Sequence, residues 1–217
     1  MKPFKPPQAH VTNWLIGACV AVEGAAWLGG AGFGDRLALN FGLIPARLTA
    51  ALAGHSDPAG AALTLVSHMF LHAGLFHLGL NLLFLGWVGR YVEWVAGWRS
   101  LLLLFLAGGI VGGLAQWLVA PAATAPIVGA SGAIAAVFGA YVVIFAQHRA
   151  RARRVLGLSL SGDTLSSLWL AATWIGLQLL TGLVFNTAGG GGIAIWTHIG
   201  GFLTGLLVAN VWRHPRL

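Results

Sequence analysis

The sequence predicts an all-α, polytopic membrane protein: one bundle of six transmembrane helices with a long interfacial first loop. Three observations carry that expectation. First, 58% of the 217 residues are hydrophobic and only 8% charged, with a mean hydropathy of +0.83. A soluble domain carries about a quarter charged residues, so this chain cannot cover a water-facing surface and lipid must be its main solvent. Second, six apolar runs of about twenty residues each match the thickness of a bilayer's hydrocarbon core. Third, the basic residues fall almost entirely on one side of the topology those runs define.

Residues 1–12 are basic and proline-rich and read as a short cytoplasmic tail. The first span covers about 13–32. It is too long for a secretory signal, and no convincing small-x-small cleavage site ends it. Glu23 lies within it, and an ionisable group at that depth is a functional candidate by default. The reading preferred here is a protonated or hydrogen-bonded glutamate that faces other helices. Residues 33–63 scatter leucines without a spanning run, as expected of a connection lying in the interface. The second span, about 66–88, is seeded with His68, His72, His77 and Asn81, and Arg90, Glu93 and Arg99 mark the water-facing turn after it.

The third span, about 100–119, is ended by Pro121 to Pro126. The fourth, about 129–147, is closed by a basic block from His148 to Arg154 that will not cross a membrane. The fifth, about 168–186, is followed by Gly189 to Gly192; the sixth, about 193–212, precedes a cytoplasmic tail at 213–217. No repeat or linker divides residues 13–212, which form a single membrane domain. Lys2, Lys5, Arg90, Arg99, the four arginines between 149 and 154, Arg213 and Arg216 all fall on one side, and only Arg36 and Arg47 on the other. The positive-inside rule therefore puts both termini in the cytoplasm. The net charge of +7 reports topology rather than a nucleic-acid partner. Cys19, the single cysteine, excludes an internal disulfide and reads as a small apolar helix residue.

Polar groups inside the lipid locate the chemistry. Ser131 is five residues past Pro126 and His198 five past Ile193. Both therefore sit roughly 8 Å down their helices from the extracytoplasmic side. His77 and Asn81, four apart and so on one helical face, share that level. Serine at its free pKa is a poor nucleophile, and an adjacent imidazole can take its proton as attack begins. Gly201 and Gly205 lie on the face of His198, and Ala135 and Gly139 on that of Ser131. With Gly132, such small-residue stripes let two helices approach closely. Ser131 could serve packing or capping alone, and His77 with Asn81 could be an interhelical hydrogen-bond pair. Read for acyl transfer, the pair and the unpaired Ser131 amide would be donors to an oxyanion. No carboxylate completes a triad, so Ser131 and His198 read as a dyad. His-Glu-x-x-His is absent and no outer thiol or carboxylate completes a metal set, so no metal is expected.

Gly129-Ala130-Ser131-Gly132, His72-x4-His77-x3-Asn81 and His198-x-x-Gly201-x-x-x-Gly205 together resemble the motifs of the rhomboid family of intramembrane serine proteases. The likeness covers helices two to six. It implies the six-helix rhomboid-like core, Ser131 as nucleophile and His198 as general base. It also implies His77, Asn81 and the Ser131 amide as oxyanion donors, with His72, Gly129 and Ala130 as site neighbours. The implied reaction is cofactor-free hydrolysis of peptide bonds in or near transmembrane segments of membrane-protein substrates. The implied setting is the bacterial cytoplasmic membrane, with the site facing the extracytoplasmic side. By the same resemblance, the glycine run after helix five would cap the site, and helix five would flank a side entrance.

Three departures stand out. Some relatives place tyrosine where this chain has Ala135, stacked on the histidine, which leaves open what orients His198. The first loop lacks a Trp-Arg pair, and Thr197 stands where alanine is frequent. The competing class is a proteolytically silent rhomboid-like adaptor that binds transmembrane helices; such members usually lack the serine or the histidine. A transporter, with the histidines and Glu23 as a proton relay, lacks the expected repeat and paired broken helices. Oligomeric state is not legible.

Overall fold

The computed structural model describes residues 9–30, 32–145, 153–155, 158–160, 162–185 and 194–212. The glycine run, residues 1–8, the C-terminal tail and most of the basic block lie outside the described residues. Among the described residues the regular elements are helices and two short strands, Arg153–Val155 and Leu158–Leu160, which pair antiparallel between the fourth and fifth predicted spans.

Helix α1 (His10–Leu28) begins three residues before the expected span. The reason is a carboxylate far along the chain. Glu93, only 5% exposed, accepts hydrogen bonds from the Val11 and Thr12 backbone amides at 2.9 and 2.8 Å and from the Thr12 hydroxyl at 2.7 Å. First-turn amides have no intrahelical acceptor, and a negative charge there also meets the positive end of the helix dipole. Close approach is possible because the neighbour is Gly89, where a Cβ would already stand 3.2 Å from Thr12. Glu93 is thus a buried cap and not the marker of a water-facing turn. Glu23 is also buried, at 8% exposure.

The first loop folds into α2 (Phe33–Phe41), α3 (Pro45–Leu52) and α4 (Pro58–Ser67). Asp57 caps α4, accepting from the Ala59 and Gly60 amides at 3.0 and 2.9 Å. Leu39, Phe41 and Leu52 remain exposed, as suits helices dipped into a lipid boundary.

The second long helix starts at Leu75 rather than residue 66. After α4 come a 3-10 turn (His68–Phe70), an extended break and Gly74 at φ +94°, a conformation few L-residues adopt. Then α5 (Leu75–Phe84), a π turn (Leu85–Gly89) and α6 (Arg90–Ala96) run on as one rod. Helix α7 (Trp98–Val119) follows, then α8 (Ser131–Phe145), α9 (Gly162–Phe185) and α10 (Ile195–Trp212). His10–Leu28, Leu75–Ala96 and Trp98–Val119 are long and apolar enough to cross a bilayer, while α8 and α10 are shorter apolar helices.

The shortness of α8 matters most. Its 15 residues cover only about 22 Å, less than a hydrocarbon core. Non-helical chain leads into Ser131, and it is paired within the protein, as buried backbone must be. Ile127 exchanges backbone hydrogen bonds with Leu43 at 2.8 and 3.0 Å, and the Gly129 amide donates to the His68 carbonyl at 2.9 Å.

The centre of the bundle is the three-way packing of α7, α8 and α10. A Cβ built on Gly201 would overlap the Gly132 carbonyl, and one on Gly205 the Ala136 carbonyl. One on Gly139 would overlap the Phe202 carbonyl, and one on Gly112 that of Thr197. The backbones of α8 and α10 are therefore in direct contact, which leucine or valine at these positions would forbid.

Candidate active site

Ser131 is the first residue of α8, and the Ala130 carbonyl accepts from the Ile134 amide at 2.8 Å to close the first turn. The helix begins here because Gly129 adopts φ +124° and redirects the chain. The Ser131 amide therefore has no acceptor within its own helix. His198 lies on α10, one turn before Gly201 and two before Gly205. With the two backbones in contact, Ser131 Oγ stands 2.7 Å from His198 Nε2. The start of α10 is tied in turn to α7: the Trp196 amide donates to Gln116 Oε1 at 3.2 Å.

The other imidazole nitrogen is also engaged. His198 Nδ1 lies 2.8 Å from Oε1 of Gln178, on α9, a side chain only 8% exposed. The sequence analysis did not single out Gln178, although an isolated amide within the fifth apolar run is the same kind of signal that flagged Glu23. It answers what contacts the imidazole where Ala135 replaces a tyrosine.

His77 falls in the first turn of α5, three residues past Gly74. The Ala73 amide donates to its Nδ1 at 3.2 Å. An Nδ1 that accepts leaves the proton of the neutral ring on Nε2, which is then a donor. That nitrogen borders Gly129: a Cβ there would fall 2.9 Å from His77 Nε2 and 3.6 Å from Ser131 Oγ. His77 and Ser131 thus flank one small space that only a glycine leaves open. Asn81, 6% exposed, donates one amide hydrogen to the His77 carbonyl at 2.9 Å and keeps a second. His72 packs edge-on to His77 with ring centroids 5.2 Å apart, outside the immediate Ser–His pair. His68 enters only through its carbonyl, which pins Gly129.

A cavity of about 950 Å³ lies over these groups, bordered by His77, Asn81, Gly129, Ser131, Gln178 and His198, with apolar walls that include Phe84, Ile134 and Trp174. Among the described lining residues none is Asp, Glu, Lys or Arg. Ala135 is buried and lines the cavity; Gly132 and Gly139 serve the α8–α10 contact. Asp57 is absent from the described lining, occupied instead in capping α4. Asp57→Ala is therefore expected to lower stability by about 1 kcal/mol, the usual worth of an N-cap. Cleavage by that variant should stay within a few-fold of wild type, and a loss as deep as that of His198→Ala would overturn the two-residue reading.

The fold and this site define a multi-pass helical membrane protein with a serine–histidine pair at the start of a short helix. A family model described as Rhomboid domain matches residues 59–214, and the chain belongs to the rhomboid family. It is 36% identical over 96 residues to the Rhomboid protease GluP of Bacillus subtilis (strain 168), covering 44% of this chain and 18% of that protein. It is 38% identical over 77 residues to the human Rhomboid-related protein 3, covering 36% of this chain and 19% of that protein. The mouse Rhomboid-related protein 3 is 35% identical over 98 residues, covering 45% and 24%. The matched part thus spans about a fifth of the length of these relatives.

Proposed function

We propose that the chain is an intramembrane serine endopeptidase that hydrolyses peptide bonds in or near the transmembrane segments of membrane proteins. The observation that carries this reading is the 2.7 Å contact between Ser131 Oγ and His198 Nε2 beneath a cavity already furnished with donors. His198 Nε2 takes the hydroxyl proton as Oγ attacks the scissile carbonyl carbon. The carbonyl oxygen becomes an oxyanion in the space beside Gly129, where His77 Nε2–H, the Asn81 amide and the Ser131 N–H can reach it. The imidazolium then protonates the leaving nitrogen, the peptide bond breaks, and an acyl ester on Ser131 remains. Water delivered through the cavity reverses the sequence, with His198 again the base. All six apolar runs cross the membrane in this reading, with both termini cytoplasmic and the cavity facing the extracytoplasmic side. The support is the distribution of basic residues. The bacterial cytoplasmic membrane is the proposed location.

The purified chain should cleave a test transmembrane substrate in liposomes and be labelled covalently by a serine-directed fluorophosphonate. Ser131→Ala should abolish both. Wild-type protein that binds such segments without cleavage or label would mark a silent adaptor instead.

A further inference from the structure

We infer that Gln178 is a positioning residue for the catalytic imidazole, an uncharged counterpart of the carboxylate that this site lacks. The inference rests on the serine-protease reading above. For Ser131 to donate its proton, His198 Nε2 must present a lone pair, so the neutral ring must carry its proton on Nδ1. The group facing Nδ1 then has to be an acceptor, and Gln178 Oε1 at 2.8 Å is one. An amide turned the other way would place its NH2 on Nδ1 and force the proton to Nε2, the tautomer in which His198 cannot act as base. The bond also fixes the rotation of the ring, and it strengthens as the imidazolium forms.

The position of Gln178 is itself held. Trp174, one turn earlier on α9 and on the same face, packs with tilted rings against Phe138 of α8 at 5.0 Å between centroids and Phe202 of α10 at 5.8 Å. Its ring also lies parallel to that of Phe84, 6.3 Å away. This wedge sets the rotation of α9 so that the residue four further on meets His198. Gln178 is buried, so its carbonyl has little water to turn to instead. A carboxylate here would bring a charge into apolar surroundings at high cost; an amide supplies the acceptor without it.

The test uses full-length protein in liposomes and a transmembrane substrate. Gln178→Leu keeps the bulk and removes the acceptor. It should lower kcat about ten- to a hundredfold, the loss of one hydrogen bond to a group that becomes charged, and leave KM within about twofold. Gln178→Glu, which keeps an oxygen acceptor, should return kcat to within about fivefold of wild type while lowering thermal stability, where the cost of the buried carboxylate appears. Nitrogen-15 NMR of labelled histidine should find His198 protonated on Nδ1 in wild type and a mixture of tautomers in Gln178→Leu. Wild-type kcat in Gln178→Leu, equal losses in the Leu and Glu variants, or an unchanged tautomer would each overturn the assignment. If wild type neither cleaves nor labels, the protease reading falls, and the tautomer comparison still decides whether Gln178 positions the ring.

Discussion

Gly205→Val, like Gly201→Val, is expected to yield protein without measurable cleavage or fluorophosphonate labelling although Ser131, His198, His77 and Asn81 are all intact. Overpacking usually costs about 1–3 kcal/mol because neighbouring side chains yield. Here the neighbours are the carbonyls of Ala136 and Gly132, in the middle and first turn of α8, and backbone has no rotamer to give up. Helix α10 must move away, taking His198 with it. A displacement of about 1 Å at a reacting centre already costs about a hundredfold in rate, and a valine asks for more. Gly17→Val is the matching control, since a Cβ at Gly17 meets nothing within 4 Å, and it should cleave like wild type. Normal turnover by Gly205→Val would show that the α8–α10 contact does not set the Ser–His distance.

The second large effect is a failure of additivity. Ser131→Ala and His198→Ala should each lower kcat by about a thousandfold or more, and the double variant should be no slower than the worse single. Two groups joined by a 2.7 Å hydrogen bond in one proton transfer act as a unit, so the second removal finds nothing left to remove. His77→Ala or Asn81→Ala should cost less, about a hundredfold, because another donor remains. Single-turnover cleavage across the set measures this. A double variant slower by the product of the two single losses would mean that Ser131 and His198 contribute independently.

The small-residue faces place α8 against α10, because regular helices convert spacing into geometry, but the depth count for Ser131 does not hold: it opens α8 instead of lying five residues inside a helix. Where the backbone is irregular, that conversion fails. The run from residue 66 reads as one apolar helix, yet it breaks between Leu71 and Gly74. The break depends on partners far along the chain, such as the Gly129 amide on the His68 carbonyl, and composition does not record them. Glu93 misled for a related reason. A charge at the end of an apolar run looks like a loop marker, and its real partners, Val11 and Thr12, lie about eighty positions away. The burial of Glu23 is legible because its depth in an apolar run already demands it. Gln178 was hidden by the opposite habit: a single amide in a span reads as packing until the histidine it meets is known.

The described lining of the cavity carries no ionised residue. On the proposed mechanism, acylation makes its own ion pair, imidazolium and oxyanion together, and cancels it when the leaving nitrogen is protonated. The described lining holds no fixed charge to gather counterions beforehand, which leaves dissolved salt little to screen there. The proposed chemical step is therefore expected to respond little to the ionic strength of the surrounding water.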